Sequence, residues 1–367
     1  MSITKSFTND QTGESYNLDK VLGSGSFAKC YRAVNVKTNE KCALKVIDKE
    51  SKKMFRIWNS ETRIHRTLDH PNIVQFISKF EDEINAVVVM ELCPRGTLEN
   101  YVKRRVTVTE AEIRYFLHGI VEAVKYLHKC RIVHCDLKQA NVLLGQNLEI
   151  KVADFGFSEG SLKKEGFRDR KGTPSHMAPE LVTNKKTKSF GVDIWALGCL
   201  VYKIIYGENP FDIKKVDFKK NFVQTSSGPK EFFELDWDLK DFGKCVSVPM
   251  EELIRSMLTP EPEVRPDIEE VARSDFFTKE FIPKALSREC LRFKPLFLME
   301  RTNQQTSILE NFKQLPSNSY SPCNDRPVSW ISRFRLNPKY GIGYELNDTS
   351  VQYYFNDKTV MVELSTE

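Results

Sequence analysis

The feature that most constrains this chain is a change of hydrophobic period along it. From about Tyr16 to Val46, short β-type runs (YNLDKVLG, AKCYRAVNV, KCALKVI) alternate with turn residues, as in an antiparallel sheet. Residues 54–68 switch to helical spacing, with Ile57, Ile64 and Leu68 able to share one face. INAVVVMEL at 84–92 reads as a further strand, and helical patterns follow at 109–129 and beyond 193. A strand-rich beginning and a helix-rich body predict an α+β molecule of two lobes.

Composition narrows the function classes. The 367 residues give room for one large or two medium domains. A net charge of +5, from 55 basic and 50 acidic residues, is too mild to imply a nucleic-acid partner. The clusters KRR (103–105) and NKKTKS (184–189) read as solvated faces. Nine cysteines with no C-x-x-C pair argue against zinc or a disulfide framework and for a reducing compartment. The polar start, MSITKSFTNDQTG, has no apolar signal core. The most apolar run, IWALGCLVYKIIYG (194–207), is too short to span a bilayer and contains Lys203, so it reads as a buried helix. No membrane association is expected.

Six short stretches carry the chemistry. LGSGSFAKC (22–30) lies between two strand patterns. Gly23 and Gly25 permit a tight turn whose backbone can approach phosphates, although Gly-x-Gly alone is also an ordinary hairpin. Lys45 sits within apolar CALKV (42–46), where a lysine must pair or point outward. As a functional group it would grip the α- and β-phosphates and pair with Glu61 of SETRIHRTL. In HCDLKQAN (134–141), Asp136 would accept a hydroxyl proton, Lys138 would neutralise a transferring phosphoryl group, and Asn141 would hold Mg²⁺. DFG at 154–156 supplies Asp154 for the metal, and APE at 178–180 closes the segment between them; a second DFG, at 241–243, falls outside the set. Each stretch alone has a bland reading. Together they occur in the order and on the element types that phosphoryl transfer needs.

The set resembles the eukaryotic protein kinases over residues 16–281, and DLKQAN with GTPSHMAPE is similar to the Ser/Thr branch. The resemblance implies a bilobal protein-kinase fold, a β-rich N-lobe above a helical C-lobe. Leu22, Gly23, Ser24, Gly25, Ser26, Phe27, Ala28, Lys29 and Cys30 would cover ATP, with Ala28 at the third Gly position and Cys30 at the usual Val. Met90 would be the gatekeeper, the backbone of Glu91 and Cys93 would meet adenine, and Ala43 and Leu143 would sandwich the base. Glu180 would pair with Arg265, and Asp193 would support the catalytic loop.

A finer likeness is to the polo-like kinases. It rests on GSGSFAKCY, on IHRTLDHPNIVQF (64–76), on FFTKEFIPKAL (276–286), and on KYGIGYEL with FNDKT (339–346, 355–359), which resemble the start of a first polo box. The implied organisation is an N-terminal tail at 1–15, a kinase domain at 16–281, a linker at 282–328 and a partial antiparallel β polo box at 329–367. Trp330 matches a peptide-contacting Trp, but about three strands are expected after it and no second box, so a complete phosphopeptide clamp is not expected. The implied cofactors are ATP and Mg²⁺, and the implied partners are proteins bearing Ser/Thr acceptors. Cell-division control, in cytoplasm and nucleus and at centrosome or spindle, is implied by the family alone. The competing reading is a pseudokinase scaffold with polo-box-type protein interaction; Asp136, Lys138, Asn141 and Asp154 together speak for the enzyme.

Two departures concern regulation. Cys135 replaces the Arg that pairs with a phosphate on the activation segment. Counting back from GT at 172–173, Asp169 stands where the polo-like pattern has its phosphorylatable Thr. A carboxylate carries about one charge where a phosphate carries about 1.5 to 2, so the two absences are mutually consistent. The expectation is a kinase that needs no phosphate at that position. Asp169 has Arg168, Arg170 and Lys171 near it in sequence, and its partner stays open. Ser158, Ser161 or Thr173 is the alternative switch, with Thr173 expected to be structural. The inserted stretch KEFFELDWDLKDF (230–242) is expected to pack on the lower lobe.

Overall fold

The computed structural model describes residues 6–25, 28–105, 108–160, 172–182, 190–217, 222–231, 237, 239, 246–279 and 281–286, together with the strands within 331–363. The chain divides into a larger unit, Met1–Arg104 with Glu110–Arg288, and a smaller one that holds the C-terminal strands.

Six antiparallel strands and one helix form the upper lobe: β1 (Ser6–Asn9), β2 (Glu14–Ser24), β3 (Lys29–Asn35), β4 (Lys41–Asp48), α1 (Lys52–His65), β5 (Phe76–Glu81) and β6 (Asn85–Glu91). Their order in the sheet is β1-β2-β3-β4-β6-β5. Residues 6–15, expected to belong to an N-terminal tail, instead supply β1 and the start of β2. β1 pairs with β2 through Phe7 opposite Tyr16, both rings are buried, and Tyr16 stacks on Phe80 with centroids 5.9 Å apart. The polar stretch between the two strands is a turn in which the Asn9 carbonyl accepts from the Thr12 and Gly13 amides, and this hid the strand.

The two-residue period of β4 sorts its side chains. Cys42, Leu44 and Val46 join Ala33, Val87 and Val89 in one core on one face. Ile47 packs with Met54, Trp58 and Val88 beneath α1 on the other. Lys45 shares the parity of Ile47, so it faces the helix and the cleft.

α1 starts at Ser51, whose hydroxyl accepts from the Met54 amide. Its buried stripe is Met54, Trp58, Glu61, Thr62 and His65. The expected stripe was different: Ile57 and Ile64 are only half-buried, and Leu68 lies past the helix end. Two ionisable side chains occupy the core face because the site needs them there.

The lower lobe contains α2 (Leu98–Arg105), α3 (Glu110–Lys129), β7 (Ile132–Val133), β8 (Val142–Leu144), β9 (Ile150–Val152), β10 (Glu159–Gly160), α4 (Pro179–Val182) and α5 (Gly191–Tyr206). β11 (Lys215–Asp217), β12 (Phe222–Thr225) and β13 (Gly228–Glu231) form a small antiparallel sheet, and α6 (Val248–Met257), α7 (Ile268–Ala272) and α8 (Asp275–Thr278) follow. α5 is the predicted buried helix: twelve of its sixteen residues are buried, and a Cβ at Gly198 would lie 2.7 Å from Leu258. In the inserted stretch, Trp237 packs edge-on against Trp195 and Phe211, at 5.5 and 5.2 Å. That is the expected docking onto the lower lobe. Among the described residues no helix is long and apolar enough to cross a membrane.

The smaller unit holds one antiparallel sheet, β14 (Ile331–Asn337), β15 (Gly341–Leu346), β16 (Val351–Phe355) and β17 (Val360–Glu363), in sequence order. This is four strands where three were expected. The fourth, VMVE, is short and follows the FNDKT turn signal closely.

Candidate active site

Lys45 is the hub of the cleft. Its Nζ donates to Glu61 Oε1 at 2.7 Å and Oε2 at 2.9 Å, and to Asp154 Oδ1 at 2.9 Å. These three groups come from β4, α1 and the loop after β9. Burial alone would lower Lys45, but the Glu61 and Asp154 carboxylates overcome it and hold the ammonium above its ordinary value. In return the Lys45 charge pulls the Asp154 carboxyl down to about 2. Asp154 has φ +69°, a left-handed backbone that a short polar residue tolerates. Phe155 beside it is buried between His65 and His134, at 4.9 and 5.2 Å, and His65 also touches Phe76 at 5.6 Å. This ring stack ties α1 to the catalytic loop.

The loop is suspended from α5. Asp193 is completely buried; its Oδ2 accepts from the His134 amide at 2.9 Å and its Oδ1 from the Cys135 amide at 2.9 Å. His128 Nε2 lies 3.0 Å from Oδ2. Burial opposes ionisation of Asp193, but these donors outweigh it and keep the carboxyl below its usual range. The two amide bonds pin Cys135 at φ +66°, so Asp193 supports the loop as expected. The His134 ring accepts from the Asp136 amide at Nδ1, 3.3 Å, and faces the Ala153 carbonyl at Nε2, 3.1 Å, which places its proton on Nε2.

Asp136 is 3% exposed, and both of its carboxylate oxygens are held by hydrogen bonds. Its Oδ1 accepts from the Thr173 amide at 2.9 Å and hydroxyl at 2.7 Å; its Oδ2 accepts from Lys138 Nζ at 2.8 Å and Asn141 Nδ2 at 2.9 Å. Lys138 also donates to Thr173 Oγ1 at 2.7 Å. Thr173 thus ties the end of the segment to the Asp136 carboxylate, the hydrogen bond that the resemblance implies. Asn141 spends its amide nitrogen on Asp136, on both the carbonyl and the carboxylate. Its Oδ1 is the atom left to meet a cation.

At the hinge, the Glu91 amide donates to the Gln75 carbonyl at 3.0 Å. What Glu91 can offer a purine is therefore its carbonyl. Its side chain is tied to Lys151 at 2.8 Å and to the Gln75 amide at 2.7 Å. Cys93 is buried with Val74 and Ala153, Met90 and Leu143 pack on this cluster, and Ala43 is buried nearby on β4. Burial pushes the Cys93 thiol up to about 12, so it acts as an apolar wall. Leu22, Gly23, Ser24, Lys29 and Cys30 lie at the facing ends of β2 and β3, and the Gly25 amide closes the turn on the Ala28 carbonyl at 2.9 Å. Ser26, Phe27, Asp169 and Trp330 lie outside the described residues.

Glu180 and Arg265 form the expected bidentate pair at 2.8 and 3.1 Å, with both side chains fully buried. Sequence reasoning missed His65, Phe76 and Phe155 as a stack, and His128 as a ligand of Asp193. Ring identity at positions 65, 76, 134 and 155 was the only signal available, and it carries no spacing rule.

Comparison with known proteins agrees with this geometry. The protein kinase domain family matches residues 16–277, and the POLO box duplicated region matches residues 338–367. The chain is 33% identical to serine/threonine-protein kinase plk-2 of Caenorhabditis elegans over 94% of this chain and 63% of that protein. It is 31% identical to serine/threonine-protein kinase polo of Drosophila melanogaster over 96% of this chain and 71% of that protein. With PLK2 of Mus musculus the identity is 35% over 80% of this chain and 42% of the relative. The chain thus spans about 63% of the length of the worm relatives. A described cleft in which lysine, two carboxylates and a suspended catalytic loop converge, and matches of this extent, have one reading: the chain belongs to the protein kinase family and, within it, to the polo-like kinases.

Proposed function

We propose that this chain transfers the γ-phosphoryl group of ATP to serine and threonine hydroxyls of proteins. The observation that carries the reading is the arrangement of Asp136: a buried carboxylate with Lys138 on one oxygen and Thr173 on the other. The acceptor hydroxyl gives its proton to Asp136 as its oxygen attacks the γ-phosphorus, and the γ-phosphorus–oxygen bond to ADP breaks. Lys138 meets the charge on the transferring group, and Lys45 holds the α- and β-phosphates while Glu61 keeps it in place.

The residues present fit a divalent cation. Asp154 is ionised down to about pH 2, and Asn141 has a carbonyl oxygen to spare. Among the described residues no cluster of three or more His, Cys, Asp or Glu could hold a metal by itself. One carboxylate and one amide suit Mg²⁺, which keeps waters and shares its site with substrate phosphates. When bound, the metal supplies charge neutralisation to the phosphates.

Protein substrates and a role in cell-division control are proposed on family grounds, and peptide docking by the C-terminal strands is proposed only for a complete box pair. The test is phosphate transfer from γ-labelled ATP to casein, followed by phosphoamino-acid analysis. Label on serine and threonine supports the reading; label on tyrosine alone, or none with varied protein acceptors, overturns it.

A further inference from the structure

The chain between α5 and α6 folds into the small sheet β11-β12-β13, and none of the cleft's side chains comes from it. The two-residue period of β12 sets Val223 and Thr225 on one face, both buried, with Lys230 of β13 directly opposite Val223. That face and the residues following α5 border a pocket of about 110 Å³. Its apolar side is Phe211, Ile213 and Trp237. Ring contacts hold this side in place: Phe211 stacks on Trp195 at 5.0 Å, and Trp237 closes edge-on against both. Trp195 lies two residues after Asp193, on the helix that suspends the catalytic loop.

The two charged groups that line the pocket differ in what they have left to give. Asp212 Oδ2 accepts from the Ser226 amide at 2.7 Å and Oδ1 from the Ser226 hydroxyl at 3.1 Å, with Lys214 Nζ 3.7 Å from Oδ1. Lys230 is exposed, and its ammonium has no ion pair among the described residues. The pocket thus offers an apolar recess beside one available cation. A cavity of roughly 150 Å³ holds a benzene ring, so this smaller one fits the side chain of Leu, Ile or Met. One ammonium matches the single charge of a carboxylate, whereas a phosphate of about 1.5 to 2 charges takes several donors and would meet Asp212. The chemistry that fits is an aliphatic side chain next to Asp or Glu. The place of the sheet says which protein brings it. β11 pairs with β12 and also lies against the turn Pro174–His176, which follows Thr173 and its bonds to Asp136. A protein engaged at Asp136 therefore has this sheet as a neighbour.

We propose that this pocket docks the protein substrate at a point apart from its acceptor residue, taking an aliphatic side chain that neighbours an aspartate or glutamate. This rests on the kinase reading above. The test uses the full chain and a library of peptides, each with one acceptor serine, fixed residues beside it, and random segments free of Ser, Thr and Tyr further out. Phosphorylated members are captured and sequenced. With wild type, an aliphatic residue adjoining Asp or Glu in the random segments should be enriched about fivefold or more. Lys230→Glu should turn the acidic preference into one for Lys or Arg, and Ser227→Trp, which sets an indole at the pocket, should abolish the enrichment; thermal melting confirms that both fold. No such enrichment with wild type, or the same enrichment in all three proteins, overturns the proposal. So does a wild-type dimer in sedimentation that Lys230→Glu dissociates, which would make the occupant a second copy of this chain. If wild type phosphorylates no member, the kinase reading fails, and docking is read from the members retained on the immobilised full chain. The same enrichment there, switched by Lys230→Glu, supports docking, and its absence overturns it.

Discussion

Replacing Thr173 by Val removes one hydroxyl and keeps the shape. In the folded protein that hydroxyl donates to Asp136 Oδ1 and accepts from Lys138 Nζ, both at 2.7 Å. The Thr173 amide still reaches Asp136 at 2.9 Å, so the loop remains docked. A hydrogen bond to a charged group contributes about 1.5–3 kcal/mol. If that is lost in the transition state, kcat falls roughly 10- to 150-fold, at about 1.36 kcal/mol per decade. The KM for ATP should hold, because neither bond touches the Lys45 cluster. Thr173→Ser restores the hydroxyl and should recover kcat to within about threefold of wild type, while Thr173→Glu sets a carboxylate against Asp136 and should be inactive. The assay is steady-state phosphate transfer to casein, with thermal melting to confirm folding. A Val variant with unchanged kcat, or a Ser variant as slow as Val, would refute the reasoning. So would an active Thr173→Glu, which would make the residue a phosphorylation switch.

Three further outcomes follow from the geometry. Glu180→Gln leaves Arg265 buried beside a neutral partner, which should cost about 3–5 kcal/mol, or a Tm lower by roughly 6–20 °C at about 2–4 °C per kcal/mol; calorimetry checks it. Gly172→Ala forces a Cβ to 2.7 Å from the Cys135 carbonyl at φ +128° and should lower kcat more than tenfold with little change in Tm. The Asp154 carboxyl is held at about 2, below its unfolded value of 3.8. It therefore stabilises the fold fully above pH 3.8, and this contribution is lost as pH falls through about 2. The stability difference between wild type and Asp154→Asn should shrink over that interval in acid-unfolding curves.

Much of the site was legible because phosphoryl transfer restricts its residues to a few types in fixed order. Lys45 stood out as a charge inside an apolar strand, and β4's parity aims it at α1. The burial of Glu61 and His65 was not legible from periodicity, which reads polar residues as solvent-facing; Glu61 has its partner Lys45 on β4, and His65 packs on Phe155 of the DFG loop, 90 residues away. β1 was hidden because only Phe7 marks it as apolar before the Asn9 turn. Ser158 read as a switch candidate because the sequence does not show that the His134 carbonyl lies over it. In the C-terminal unit the alternation of Val351, Tyr353 and Phe355 gave β16 correctly, while the shorter β17 was missed.

The central claim is that Asp136 acts on the acceptor hydroxyl while Lys45 and Asp154 hold the nucleotide. Single-turnover transfer from γ-labelled ATP to casein, with ATP affinity measured in parallel, tests it in wild type and Asp136→Asn. Transfer in the variant should be at least a hundredfold slower, with ATP affinity within about threefold of wild type. Equal transfer rates in the two proteins would contradict it.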